Sequence, residues 1–164
     1  MYDIKPVTSP KLMDCGATSL KMLLSYYGTD VDLDQLAKEC NTRLGGCSAG
    51  DIMRAGKLHG FDLSTWAMGA EEVIRQDRPS IIWWRYDHFC ICCGTDDNDN
   101  IVIINPDRGL FRMSFGIFKS LYSGVAIFNG FSNPCMIDGE FMTLTYEEWK
   151  ELRANKSREE DMSS

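Results

Sequence analysis

Residues 15–27 read as one strongly apolar helix with a cysteine at its first position, and this feature constrains the chain most. Leu20, Leu23, Leu24 and Tyr27 fall on one face at helical spacing, and Gly28 ends the run. The N-terminus of a helix concentrates unpaired N–H groups and positive dipole charge. A cysteine placed there has its thiolate favoured, and the thiolate is the nucleophile. Gly16 beside it removes a side chain where a substrate backbone would come close. Cys15 is therefore a candidate nucleophile, and the rest of the chain must supply a base and a group that orients the base.

The first half continues as helices. Asp32 and Asp34 put acids into the first turn of a second helix over residues 32–39. Gly45-Gly46 breaks the chain, Ser48 reads as the cap of a third helix to residue 58, and Gly60 follows its end. The second half reads as strands over residues 61–66, 80–84, 88–94, 101–104, 110–113 and 124–128, with short helices over 70–76 and 115–120. The polar run 96–100 is a hairpin loop, and Asn105-Pro106-Asp107-Arg108-Gly109 is a tight turn. Helices packed on an antiparallel sheet make an α+β fold. A length of 164 residues holds one such domain with a short appendage. The domain is placed at residues 1–129, and residues 130–164 are assigned to an appendage. Within it, residues 130–140 read as a linker or irregular loop. A capping box at Thr145-Tyr146-Glu147-Glu148 opens a short amphipathic helix to about residue 155, read as docking on the domain with a partner-binding helix as the alternative, and a disordered tail follows.

A net charge of -7 argues against broad nucleic-acid or anionic-membrane binding. The first residues lack a basic start followed by an apolar run, so no signal peptide is expected. No stretch is long and apolar enough for a membrane span, and no Gly-rich phosphate loop ends in Lys-Ser/Thr. Seven cysteines, an odd count in a leaderless chain, point to free thiols in a reducing cytoplasm.

Only two histidines can serve as the base. His59 stands at a helix end, where an exposed structural role near the C-terminal dipole is expected. His88 opens an apolar strand, where a histidine has little local reason to be, and is the better candidate. Asn105 and Asp107 are the candidate orienters; either can accept the imidazole N–H and fix its tautomer. His88, Cys90 and Cys92 alternate along the strand and would share a face. They lack the close ligand pairs of a structural zinc site, so no metal or other cofactor is expected. Cys40, Cys47 and Cys135 read as core or surface thiols. Of Trp83 and Trp84, one is expected in the core and the other, assigned as Trp84, in a substrate cleft.

Taken together, several segments resemble the bacteriocin-processing cysteine peptidases. They are Asp14-Cys15-Gly16-Ala17, the helix ending Tyr26-Tyr27-Gly28, His88-Phe89 leading to Gly94, and Asn105-Pro106-Asp107-Arg108-Gly109. Those peptidases are papain-like domains that cut double-glycine leader peptides, often at the N-terminus of ABC exporters. The resemblance covers about residues 4–128. It implies a papain-like fold with the active site at the cleft between helices and sheet. It also implies Cys15 as nucleophile, His88 as base and, at the position where the family usually carries the Asp of an Asp-Pro pair, Asn105 as orienter. The family carries a Gln six residues before the nucleophile, whose amide helps form the oxyanion hole. Here that position is Ser9, so the backbone N–H of Cys15, the Ser9 hydroxyl or a water would have to serve. Losing one such donor costs on the order of 100-fold in rate.

The resemblance thus implies a stand-alone cytoplasmic cysteine peptidase acting on a peptide or leader peptide, with an exporter in trans as a partner. The alternative is a catalytically weak or inactive domain on the same fold that binds a peptide or protein partner.

Overall fold

Helix α1 spans Cys15–Tyr26 and follows a single 3-10 turn, Leu12–Asp14. It is buried along most of its length, from Cys15 through Leu20 and again at Met22, Leu23 and Leu24. Burying each of those leucines contributes about 1.5–3 kcal/mol. Helix α2 (Leu33–Glu39) is capped by Asp32, whose carboxylate accepts the Gln35 N–H, and buries Leu36. Helix α3 (Ala49–Leu58) opens on a reciprocal capping box. The Ser48 hydroxyl accepts the Asp51 N–H at 3.1 Å, and the Asp51 carboxylate accepts the Ser48 N–H at 3.0 Å. His59, expected to be exposed, is instead partly buried. Its Nε2 lies 2.6 Å from Glu39 Oε2 and joins the C-terminal ends of α2 and α3.

The computed structural model describes residues 1–9, 11–85 and 88–130, together with the backbone of 133–137 and 140–144. The chain divides into two units, Met1–Asn129 and Gly130–Ser164. The first holds the helices above and a six-stranded antiparallel sheet. Its strands are β1 (Leu63–Ala67), β2 (Ser80–Trp84), β3 (His88–Thr95), β4 (Ile101–Asn105), β5 (Gly109–Met113) and β6 (Tyr122–Asn129). Two short helices, α4 (Ala70–Val73) and α5 (Phe115–Leu121), lie in the connections. The spatial order is β1-β6-β2-β3-β4-β5, so the last strand of the unit inserts between the first and the second.

Strand alternation divides the core. Phe89, Ile91 and Cys93 of β3 join Leu20, Leu23, Ile52 and Ile104 in the layer between helices and sheet. Cys90 and Cys92 alternate with them and are also fully or almost fully buried. A β3 strand buried on both faces suits a central position. The N-terminal segment runs along the same strands: the Tyr2 N–H donates to Cys93 O at 2.8 Å, and the Ser9 N–H donates to Pro106 O at 2.9 Å.

In the second unit, residues 130–140 are not a plain linker. Strand β7 (Asn133–Ile137) pairs antiparallel with β8 (Glu140–Leu144), from Asn133 opposite Leu144 to Ile137 opposite Glu140. The expected helix over residues 145–155 and the tail after it lie outside the described residues.

The capping box at the start of α3 makes a stability prediction. Ser48→Ala removes the hydroxyl that accepts the Asp51 N–H and leaves the backbone bond to the Asp51 carboxylate unreciprocated, and is expected to cost about 1 kcal/mol. In urea titration this reads as a lower midpoint at unchanged slope; an unchanged midpoint refutes the role given to Ser48.

Candidate active site

A cavity of about 510 Å³ is lined by Cys15, His88, Asp107, Trp83, Trp84 and the loop 44–47, among others. Three elements supply its chemistry. Cys15 is the first residue of α1, His88 is the first of β3, and Asn105 is the last of β4. Each stands at the end of its element; Cys15 is buried at the edge of the core, and His88 and Asn105 are half-buried.

The His88 ring is held from two sides. Its Nε2 lies 2.8 Å from Asn105 Oδ1. That same Oδ1 accepts the Asp107 N–H at 2.9 Å, which fixes the amide with its oxygen toward the ring. An amide oxygen only accepts, so Nε2 carries the proton and Nδ1 is the nitrogen left for Cys15. The His88 pKa is pushed up to about 11, first by its hydrogen bond with the Cys15 side chain and then by one with Cys90. These outweigh burial, which favours the neutral ring, and the Asn105 bond adds to them. Burial pushes the Cys90 thiol up, so Cys90 stays a neutral neighbour on β3. Asp107 Oδ2 lies 3.7 Å from the same His88 Nε2.

Other expected site residues have different surroundings. Gly16 does not line the cavity; a β-carbon there would collide with Cys47 Sγ and press on Ile52 and Phe89. Its bareness lets α1 pack against the loop before α3. Cys47, read from sequence as a core or surface thiol, lies beside Gly16 on the cavity wall. Ser9 is buried and its hydroxyl is engaged elsewhere: Oγ lies 3.5 Å from Asp14 Oδ2 and accepts the Lys11 N–H at 3.3 Å. The Cys15 N–H donates to Leu12 O, closing the 3-10 turn. Both expected oxyanion donors are therefore already committed to local bonds. Trp83 and Trp84 both line the cavity, and each also leans on a buried aromatic. Trp83 meets Phe89 edge-on at 4.6 Å between centroids, and Trp84 lies 6.0 Å from Phe118.

Sequence reasoning missed Leu12 and Leu44. Both are exposed, at 70% and 92%, yet both line the cavity. The only local signal was their position beside Asp14-Cys15 and Gly45-Gly46. Among the described residues no group of three or more His, Cys, Asp or Glu side chains could hold a metal ion. All six cysteines among those residues are free thiols. No described helix is long and apolar enough to cross a membrane.

The model of the peptidase C39 family matches residues 3–131. The lactococcin-G-processing and transport ATP-binding protein LagD of Lactococcus lactis subsp. lactis is 29% identical over 121 residues, 70% of this chain and 17% of that protein. The transport/processing ATP-binding protein ComA of Streptococcus pneumoniae (strain ATCC BAA-255 / R6) is 28% identical over 127 residues, 71% of this chain and 17% of its own length. This chain thus spans 17% of the length of either relative. Among solved structures, the peptidase domain of Streptococcus ComA superposes with a TM-score of 0.68 at 25% identity, over 79% of this chain and 98% of that one. A double glycine motif protease from an AMS/PCAT transporter, in complex with the leader peptide, superposes with a TM-score of 0.74 at 23% identity. That match covers 78% of this chain and 91% of the protease, and shows the fold.

The His88 shift predicts a pH dependence. A histidine whose folded pKa stands above its ordinary 6.5 adds stability that is complete below about pH 6.5 and is lost as pH rises through about 11. The stability gap between the wild type and His88→Ala should be widest below pH 6.5 and narrow toward 11. Urea titrations across that range check it, and a constant gap refutes it.

Proposed function

This chain belongs to the peptidase C39 family, and we propose that it is a cysteine peptidase that cuts a peptide bond after the double glycine of a leader peptide. The observation that supports this best is that the His88 ring meets Cys15 from the start of α1 and Asn105 from the end of β4, with Cys15 and His88 lining one cavity.

The chemistry follows from the order of the bonds. The Cys15 thiol gives its proton to His88 Nδ1, and the Nε2–H stays on Asn105. The thiolate attacks the scissile carbonyl and forms a carbon–sulfur bond. The tetrahedral species collapses, and the leaving amine takes the proton from His88. Water, deprotonated by the same ring, then attacks the thioester, releases the peptide acid and restores the Cys15 thiol. The bare Gly45-Gly46 wall and the apolar rim of Leu12, Leu44, Trp83 and Trp84 suit an extended peptide with small residues at the cut.

A second reading, a domain that holds a leader with little turnover, is favoured by one specific observation. The Ser9 hydroxyl and the Cys15 N–H, the two groups expected to receive the oxyanion, are both engaged in local hydrogen bonds. Attack on a carbonyl would then begin without a free donor, at a cost on the order of 100-fold.

Both readings are separated by one experiment. The protein is incubated with a synthetic double-glycine leader peptide, and products are read by mass spectrometry. Cleavage after the second glycine is expected, and Cys15→Ala and His88→Ala are expected to abolish it. Ser9→Gln is expected to raise kcat by about tenfold or more by adding an amide donor. Tight binding of the leader by the wild type and by Cys15→Ala, with no product from the wild type, favours the holding domain. No gain from Ser9→Gln rules out the part assigned to position 9.

A further inference from the structure

We propose that Asp107 is a positioning residue that supplies the negative charge which the His88–Asn105 pair lacks. The two tasks of an orienting aspartate would then be divided between two side chains of one turn. The inference rests on the peptidase reading of Cys15 and His88.

A base that takes a proton from a thiol becomes an imidazolium, and its partner has two jobs: to hold the ring in one tautomer and to stabilise the positive charge. Asn105 does the first. Its Oδ1 takes the Nε2–H at 2.8 Å and is itself pinned by the Asp107 N–H at 2.9 Å. An amide has no net charge, so it cannot do the second. The Asp107 carboxylate stands 3.7 Å from the same nitrogen, beyond hydrogen-bond length but well within range for a charge. The only ion pair that Asp107 makes among the described residues is this one.

The placement is built into the backbone. Ile91 of β3 pairs with Ile104 of β4, and β4 ends one residue later at Asn105, so the turn to Gly109 opens beside the start of β3. The Arg108 N–H closes the turn on Asn105 O at 3.1 Å, and Gly109 takes a φ of +92° to enter β5. The Ser9 N–H then ties this turn to the segment ahead of Cys15 through Pro106 O. One turn thus carries the hydrogen-bond acceptor, the charge and a tether to the nucleophile's own segment.

Among the described residues, the titratable groups that face His88 are Cys15 from α1, Cys90 from its own strand and Asp107 from the turn, with Arg85 lining the same cavity. Of these, Asp107 is the carboxylate. Cys90 is held neutral by burial.

The test uses the fact that the chain has two histidines. In 15N-labelled protein the His88 ring is followed by NMR against pH, and His59→Gln assigns its signal. In parallel the rate at which iodoacetamide labels Cys15 at neutral pH is measured by peptide mapping. Asp107→Asn keeps the shape and the backbone N–H. It is expected to lower the His88 midpoint by about one pH unit and to slow labelling of Cys15 about tenfold. Adding Asn105→Asp to it moves the charge by two residues and is expected to restore both. Asp107→Ser, which removes the carboxylate without an amide, should match Asp107→Asn. If His88 titrates and Cys15 reacts in Asp107→Asn as in the wild type, or if the double variant fails to recover, the assignment is overturned. A shifted midpoint in a protein whose wild-type Cys15 labels no faster than its other cysteines keeps the charge role and sinks the peptidase reading instead.

Discussion

Everything in the first unit depends on the burial of α1 against the sheet. Leu20, Leu23 and Leu24 have no exposed surface, and they share a core with Phe89, Ile91 and Cys93 of β3. At about 1.5–3 kcal/mol for each fully buried leucine, this interface is worth more than any hydrogen bond at the site. It sets the axial position of the helix, and with it the place of Cys15. Gly16 is where that packing is tightest, because Cys47, Ile52 and Phe89 all close on it. A nucleophile on a helix that could slide would lose its base. Here sliding is opposed by the whole apolar face.

Polar contacts add direction to a position that packing has already set. His88 occupies the first position of β3, beyond the layer formed by Phe89 and Ile91, and can reach Cys15 without crossing the core. Asn105 and Asp107 reach it from the next turn because Ile91 of β3 pairs with Ile104, one residue before β4 ends. The N-terminal segment closes the arrangement, with Ser9 bonded through its backbone to the Asn105 turn and through its hydroxyl to the segment that leads into α1. Ser9 thus works as a brace between the two halves of the site. A glutamine at this position could keep the backbone bond and still send an amide elsewhere, since the brace on the turn is made by the main chain.

Much of the fold was legible in local patterns. Residues 15–27 differ from the observed α1 by one residue, the Ser48 cap and Gly60 end of α3 stand as read, and β2 has the expected bounds. Boundaries slipped where the pattern was weak: the 70–76 helix shortens to Ala70–Val73, and β6 begins at Tyr122. Asn133–Ile137 and Glu140–Leu144, in a stretch rich in turn formers, nonetheless pair as two strands. Side-chain roles that depend on a distant neighbour were misread. His59 looked exposed because Glu39, its partner twenty residues away, is invisible to a local reading. Gly16 looked like room for a substrate because Cys47 is distant in sequence.

By itself the sequence determined which residues are the candidates for chemistry and which stretches are helix or strand, since residue type, caps and periodicity act within a few residues of one another. It marked Cys15 at a helix start and His88 at a strand start, and placed Asn105 and Asp107 in one turn. Only the tertiary structure decided that β6 inserts between β1 and β2, that Asn105 takes the hydrogen bond while Asp107 stands 3.7 Å away, and that Ser9 points to Asp14. These outcomes depend on strand register and on the packing of one face against another. Register and packing are set by contacts between segments far apart in the chain, and no local pattern encodes them.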